Sequence, residues 1–263
     1  MPESIQELIA TITNFDVYKE LAQRTNSTYG ADPRLQLLHS FMGVVGEQAE
    51  VLDHLNGFKR EHYLLGEEEP IEKLDSYSDA FDETSEKMLA EYGDLLWYCA
   101  TLFDSLKAIK KHFELGDVKL PKVNLLFTQF TEFDVLCKNV VRIVEKREDT
   151  DTIRYGEDVV VGTLQSDALV LDDVKKVFVY KQRCKQEWFE NLVHSLVEKI
   201  EVVVGYLHAY NDTYPINEDL TLLTLARSNI AKLASRFGEK FSVERSENRN
   251  YVQETKDSGI KTA

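Results

Sequence analysis

Along much of the chain, apolar residues recur at three- and four-residue intervals, the pattern of helices that turn one face to a core. At ~100° per residue, Val44, Val45, Ala49, Val51, Leu52 and Leu55 share one broad arc of a first helix. Met88, Leu89, Tyr92, Leu96, Cys99, Phe103 and Leu106 form the apolar side of a second. Two more helical stretches are readable, Phe127–Arg147 and Lys181–Tyr210. Between them, Asp149–Val179 carries Val159-Val160-Val161-Gly162-Thr163-Leu164 and Leu169-Val170-Leu171-Asp172, β-branched runs that predict a small strand pair. Asn56–Glu83, with Gly66-Glu67-Glu68-Glu69-Pro70 at its centre, reads as a solvated acidic loop or flap. The pattern predicts an all-α fold: an antiparallel helical bundle with inserted loops and room for one small β-hairpin.

The polar sides of the first two helices change the picture. Glu47 and Glu50 stand at i, i+3, and so do Glu91 and Asp94, so each pair lies on one helix face. Glu47, Glu50 and His54 fall within about 60° of one another, opposite the apolar arc, and His39 and Gly43 extend that strip. On the second helix Lys87, Glu91, Asp94 and Tyr98 share a side. Acids at this spacing are common on solvated helices, but both of these helices are too apolar to be free surface elements. Gly43, Gly46, Ala49, Ala90 and Gly93 surround the pairs. Glycine inside a helix costs roughly 1 kcal/mol against alanine, so these small residues predict a close approach of backbone, ligand or another helix. Two facing pairs of carboxylates make a cage for a hard divalent cation, which prefers oxygen ligands and bridges to phosphate.

Residues Leu37–Asp53, with Gly43-Val44-Val45-Gly46-Glu47-Gln48-Ala49-Glu50 at their centre, and Glu91-Tyr92-Gly93-Asp94-Leu95-Leu96-Trp97-Tyr98 resemble the MazG-like all-α nucleotide pyrophosphohydrolases. The family's signature is E-x-x-E followed by E-x-x-D on the next helix. Asn229–Ser242, with Asn229-Ile230-Ala231-Lys232 and Arg236-Phe237-Gly238-Glu239-Lys240, resembles the same family's closing segment. The resemblance implies a Mg²⁺-dependent hydrolase, with Mn²⁺ able to substitute, that cleaves (d)NTPs or related nucleotides to monophosphate and pyrophosphate. Glu47, Glu50, Glu91 and Asp94 would be the metal ligands and catalytic groups. Asn229, Lys232 and Arg236, with Lys240 and His39, would bind the substrate. A dUTP- or dCTP-specific diphosphatase, a guanosine polyphosphate hydrolase and a non-catalytic nucleotide-sequestering protein are the alternatives. Phe15, Tyr18 and Tyr29 would help line a base pocket, whereas Trp97 and Trp188 read as packing.

The resemblance spans about 15–107 and 220–250. It implies one elaborated domain over 1–250, with an inserted helical segment at 108–219 and a polar tail at 251–263. Simple members pair two chains to complete the bundle, so the expectation is a homodimer or tetramer, or a monomer whose middle helices are a worn internal copy. In that copy Lys138 and Arg142 would replace the first acidic pair, and Glu198 and Glu201 would keep the spacing of the second.

The global properties narrow the partners. A formal charge of −15 over 263 residues argues against a nucleic-acid face, which needs a basic surface. An anionic substrate must then be held by metal and a few local cations. Cys99, Cys137 and Cys184 form no C-x-x-C pair and sit in apolar contexts, as core thiols do. Met1-Pro2-Glu3-Ser4 opens no signal peptide and no apolar run reaches spanning length. The expectation is a cytoplasmic enzyme with no membrane partner.

Overall fold

The computed structural model describes residues 5–62, 74–116, 118–121, 123, 152–213 and 220–238. Among them the chain forms seven helices and no strand. These are α1 (Ile5–Ala10), α2 (Phe15–Arg24), α3 (Pro33–His62), α4 (Leu74–His112), α5 (Thr152–Phe178), α6 (Gln186–Thr213) and α7 (Leu222–Phe237). The fold is all-α.

Four of the helices close a ring: α3 packs on α4 and α5, and α6 packs on the same two. Neighbours run antiparallel. Ser40 of α3 meets Ser105 of α4 near one end and His54 meets Glu91 near the other. Tyr92 stacks on Tyr206, whose hydroxyl donates to the carbonyl of Ser85, which fixes α4 against α6.

Each helix of the ring buries a seam spaced alternately by three and four residues, the repeat that keeps a stripe facing its partners in a bundle. In α3 it is Leu37, Phe41, Val44, Gln48, Val51 and Leu55. In α4 it is Met88, Tyr92, Leu95, Cys99, Leu102, Leu106 and Ile109. In α5 it is Val160, Thr163, Asp167, Val170, Val174 and Val177, and in α6 Leu192, Leu196, Lys199, Val203, Tyr206 and Tyr210. Each fully buried Leu, Phe or Val contributes about 1.5–3 kcal/mol, so these seams hold the ring together. Gln48 belongs to the α3 seam, while Ala49, on the expected apolar arc, is exposed.

Two sequence expectations are corrected. The strand pair over 149–179 is absent from its described part, because the β-branched run of α5 buries Val160, Thr163, Val170, Val174 and Val177 with helical spacing. That periodicity outweighs the local preference of valine for strands. The described parts of Asn56–Glu83 are helical rather than loop, since α3 continues to His62 and α4 begins at Leu74, while the Gly66–Pro70 centre lies outside the described residues. Glu83 there pairs with Lys87 one turn on, as acids on a helix do. The second hairpin of the ring is α5 with α6, and α6 supplies the helix expected over Lys181–Tyr210. Phe127–Arg147, with Cys137, Lys138 and Arg142, lies outside the described residues. Cys99 and Cys184 are buried free thiols.

Of the remaining helices, α2 and α7 lie against the outer side of α4, and α1 packs on α7. Asn14 caps α2 by accepting from the Val17 amide at 3.1 Å. Thr221 and Thr224 form a reciprocal capping box at the start of α7. Trp97 of α4 donates to the Ala22 carbonyl and the Thr25 hydroxyl, each at 3.2 Å, so it anchors α2. Arg227 of α7 donates twice to the Ile12 carbonyl. These contacts bring α2 and α7 to the polar side of α4. No helix among the described residues is long and apolar enough to cross a membrane.

Candidate metal centre

The antiparallel pairing of α3 and α4 sets the two acidic pairs face to face. One carboxylate oxygen each from Glu47, Glu50 and Glu91 lies within 4.8 Å of the other two. An all-oxygen set of three carboxylates suits a hard divalent cation. The charge state fits as well. Glu47 is pushed up to about 9, first by burial and then by Asp94, Glu50 and Glu91, while Lys232 opposes the rise. Burial and Asp94 also raise Glu91, against the pull of Lys232 and a hydrogen bond from His54. Carboxyls held this close keep a proton unless a cation takes its place.

Asp94 stands beside this group and is held differently. Its Oδ2 lies 2.5 Å from Lys232 Nζ and its Oδ1 accepts from Asn229 Nδ2 at 2.8 Å. Asn229 in turn accepts from the hydroxyl of Tyr18 at 3.1 Å. Two of the three α7 residues expected to meet substrate, Asn229 and Lys232, therefore grip a carboxylate. Tyr18 is fully buried in this support, and Phe15 is core, so neither lines an open pocket. Tyr29 is exposed, and Trp97 and Trp188 are packed inside.

The small residues divide by position. A Cβ on Gly43 would collide with the Tyr98 ring, so that glycine is what lets Tyr98 lie across α3. Gly93 faces α7, where a Cβ would meet Leu225 at 3.5 Å and Asn229 at 3.7 Å, whereas nothing approaches Gly46. This gives a paired test. Gly46→Ala should stabilise the fold by about 1 kcal/mol, the ordinary helix gain. Gly43→Ala should reverse the sign and cost ~1–3 kcal/mol, because the ring must move. Thermal unfolding of both variants measures it; a stabilised Gly43→Ala would contradict the packing described.

Tyr98 is pushed up to about 12 by burial and by Glu47, Asp94 and Glu50, with Arg236 opposing. Its phenol stays protonated and offers a donor at the edge of the acidic group. His39 lies near Trp97 and Tyr98, with ring centroids 6.3 and 5.8 Å away. Burial lowers its pKa, so it is neutral at neutral pH, and its Nδ1 is buried with no hydrogen-bond partner. His54 Nε2 sits 3.3 Å from Glu91 Oε1 and orients that carboxylate. Arg236 lies on the same α7 side, its guanidinium 4.7 Å from the Phe237 ring. Lys240 lies outside the described residues.

Sequence spacing placed both acidic pairs and missed what supports them. Tyr18 and Asn229 are 211 positions apart, and no local pattern links them. On α6, Glu198 and Glu201 keep their i, i+3 spacing, and Glu198 pairs with Lys199 at 3.2 Å. Lys199 between them is buried and turned to Asp167 at 3.0 Å. No family model matches this chain, and neither does any curated protein or solved structure.

Proposed function

We propose that this chain is a Mg²⁺-dependent nucleotide pyrophosphohydrolase of the MazG-like kind, cleaving (d)NTPs or related nucleotides to monophosphate and pyrophosphate. The observation that carries the reading is the convergence of Glu47, Glu50 and Glu91 from two antiparallel helices, their oxygens within 4.8 Å. Two α7 residues that can meet phosphate, Lys232 and Asn229, stand directly beside them. The order of these residues along the chain supports the same reading, and so does the half-buried setting of Glu47 and Glu91.

Glu47, Glu50 and Glu91 would hold the cation, with Asp94 adjacent. A bound Mg²⁺ supplies charge neutralisation and a water of lowered pKa. Phosphoryl chemistry asks little more of the protein than positioning and electrostatics. His54 fixes one oxygen of Glu91, and Asn229 fixes one oxygen of Asp94. Lys232 offers a point charge to phosphate oxygens. Tyr98, held protonated, can donate to an oxygen at the rim.

A panel of (d)NTPs, dUTP and dCTP among them, together with guanosine polyphosphates, should be incubated with protein and Mg²⁺ and resolved by chromatography. The expected result is monophosphate and pyrophosphate from one or a few members. No turnover of any member overturns the enzymatic reading, and tight metal-dependent binding without turnover identifies a sequestering protein instead.

A further inference from the structure

Among the described residues, one layer of the four seams carries a buried charge pair. At this level the seams present Gln48 from α3, Cys99 from α4, Asp167 from α5 and Lys199 from α6. Lys199 Nζ lies 3.0 Å from Asp167 Oδ1, and both side chains are fully buried. Ser195 donates to the same oxygen at 2.9 Å. Gln48 Nε2 donates to Asp167 Oδ2 at 2.7 Å, and its Oε1 accepts from the Thr163 hydroxyl at 2.6 Å. Tyr92 of α4 stacks on Tyr206 of α6, and Cys99 and Lys199 each lie seven residues from that contact on antiparallel helices, which places α4 at this level as well.

We propose that Gln48 is a positioning residue for the carboxylate site, clamped by Thr163 and the Asp167–Lys199 pair so that Glu47 and Glu50 are held toward Glu91. The inference rests on the reading of those three carboxylates as a cation site. It goes beyond that reading by assigning a role to residues that do not touch the cation.

The physical reason is direction. Apolar seams tolerate a small roll or slide of one helix, because dispersion and burial are nearly indifferent to angle. A helix with its side chains has a radius of about 5–6 Å, so a roll of about 20° moves a carboxylate tip by about 2 Å. A cation accepts ligand distances within about 0.2 Å of its preferred value. The like-charged carboxylates push α3 and α4 apart at this very turn. Gln48 lies next to Glu47 and two residues before Glu50, so fixing both ends of its amide fixes the roll of α3 where it matters. A buried ion pair adds little stability over an apolar pair of the same shape. A single polar layer in a bundle seam does set register, and here the register also sets the geometry of the site.

The test separates position from stability. Mn²⁺ affinity of the full chain is measured by electron paramagnetic resonance of the free ion, alongside thermal unfolding without metal. Gln48→Met keeps the volume and removes the amide; Thr163→Val removes only one of its partners. Leu192→Ala, on α6 and fourteen residues from Tyr206, is the control that destabilises the ring far from the site. The expected result is a 10- to 100-fold weaker Mn²⁺ dissociation constant for Gln48→Met, a several-fold weakening for Thr163→Val, and no change for Leu192→Ala. Should Gln48→Met fail to fold, Thr163→Val decides. Variants that lose stability but bind Mn²⁺ within twofold of the parent overturn the positioning role alone. A parent chain that binds no Mn²⁺ overturns the cation site, and the proposal with it.

Discussion

Glu47→Gln should make the metal-free protein more stable as the pH is raised, and should abolish its response to divalent cations. Glu47 is pushed up from 4.5 to about 9 in the folded chain. Between those values the folded state holds a proton that the unfolded state releases, so stability falls as pH rises through the interval. Each pKa unit is worth 1.36 kcal/mol, and the penalty at pH 9 is on the order of 5 kcal/mol. Glutamine keeps the shape and removes the titration. The difference in Tm between variant and parent should be near zero at pH 4.5 and grow to roughly 10–20 °C by pH 9, at about 2–4 °C per kcal/mol.

Millimolar Mg²⁺ should do for the parent what glutamine does for the variant. A cation among the three carboxylates replaces the proton, so its stabilising effect is small below pH 5 and grows toward pH 9. In Glu47→Gln that pH-dependent gain should vanish. Unfolding curves at several pH values, with and without Mg²⁺, measure both statements. A parent whose Tm is flat from pH 5 to 9 in the absence of metal would contradict the crowding of these carboxylates.

The helices and the two acidic pairs were legible in the sequence because both depend on spacing within a few residues. Glu47 with Glu50 and Glu91 with Asp94 needed only the helical repeat, and antiparallel pairing of α3 and α4 then set them face to face. The β-hairpin expectation failed at Val159-Val160-Val161, where a valine run outweighed the longer repeat from Val160 to Val177. The acidic stretch 56–83 was read by composition, yet both of its described ends are helical. Gln48 was overlooked for a related reason. A polar residue between two glutamates looks like part of a polar face, and only the partners Thr163 and Asp167, 115 and 119 positions away, show that it belongs to the seam. The pairing of Tyr18 with Asn229 is of the same kind. Contacts between distant parts of a chain leave no local periodicity to read.

Lys232→Met should separate metal binding from hydrolysis more sharply than any change to the carboxylates. Lys232 is the cation that the chain itself places against Asp94, and it also lowers the pKa of Glu47 and Glu91. Its removal makes the acidic group more negative on balance, so affinity for Mn²⁺ should stay the same or tighten. On the proposed reading the same lysine neutralises phosphate charge that grows toward the transition state, and a preorganised donor of that kind is worth about 10²–10³ in turnover. Methionine fills the space of the aliphatic stem, so the packing of α7 on α4 should survive, with helix content unchanged. The measurement is turnover of the best substrate from the panel beside the Mn²⁺ dissociation constant. Collapse of turnover with intact metal binding places Lys232 on the substrate. A loss of both together would make it a support for Asp94 alone, since the carboxylate it orients would then be needed for the cation. Retained turnover would remove Lys232 from the reaction and leave Arg236 as the α7 cation for the phosphates.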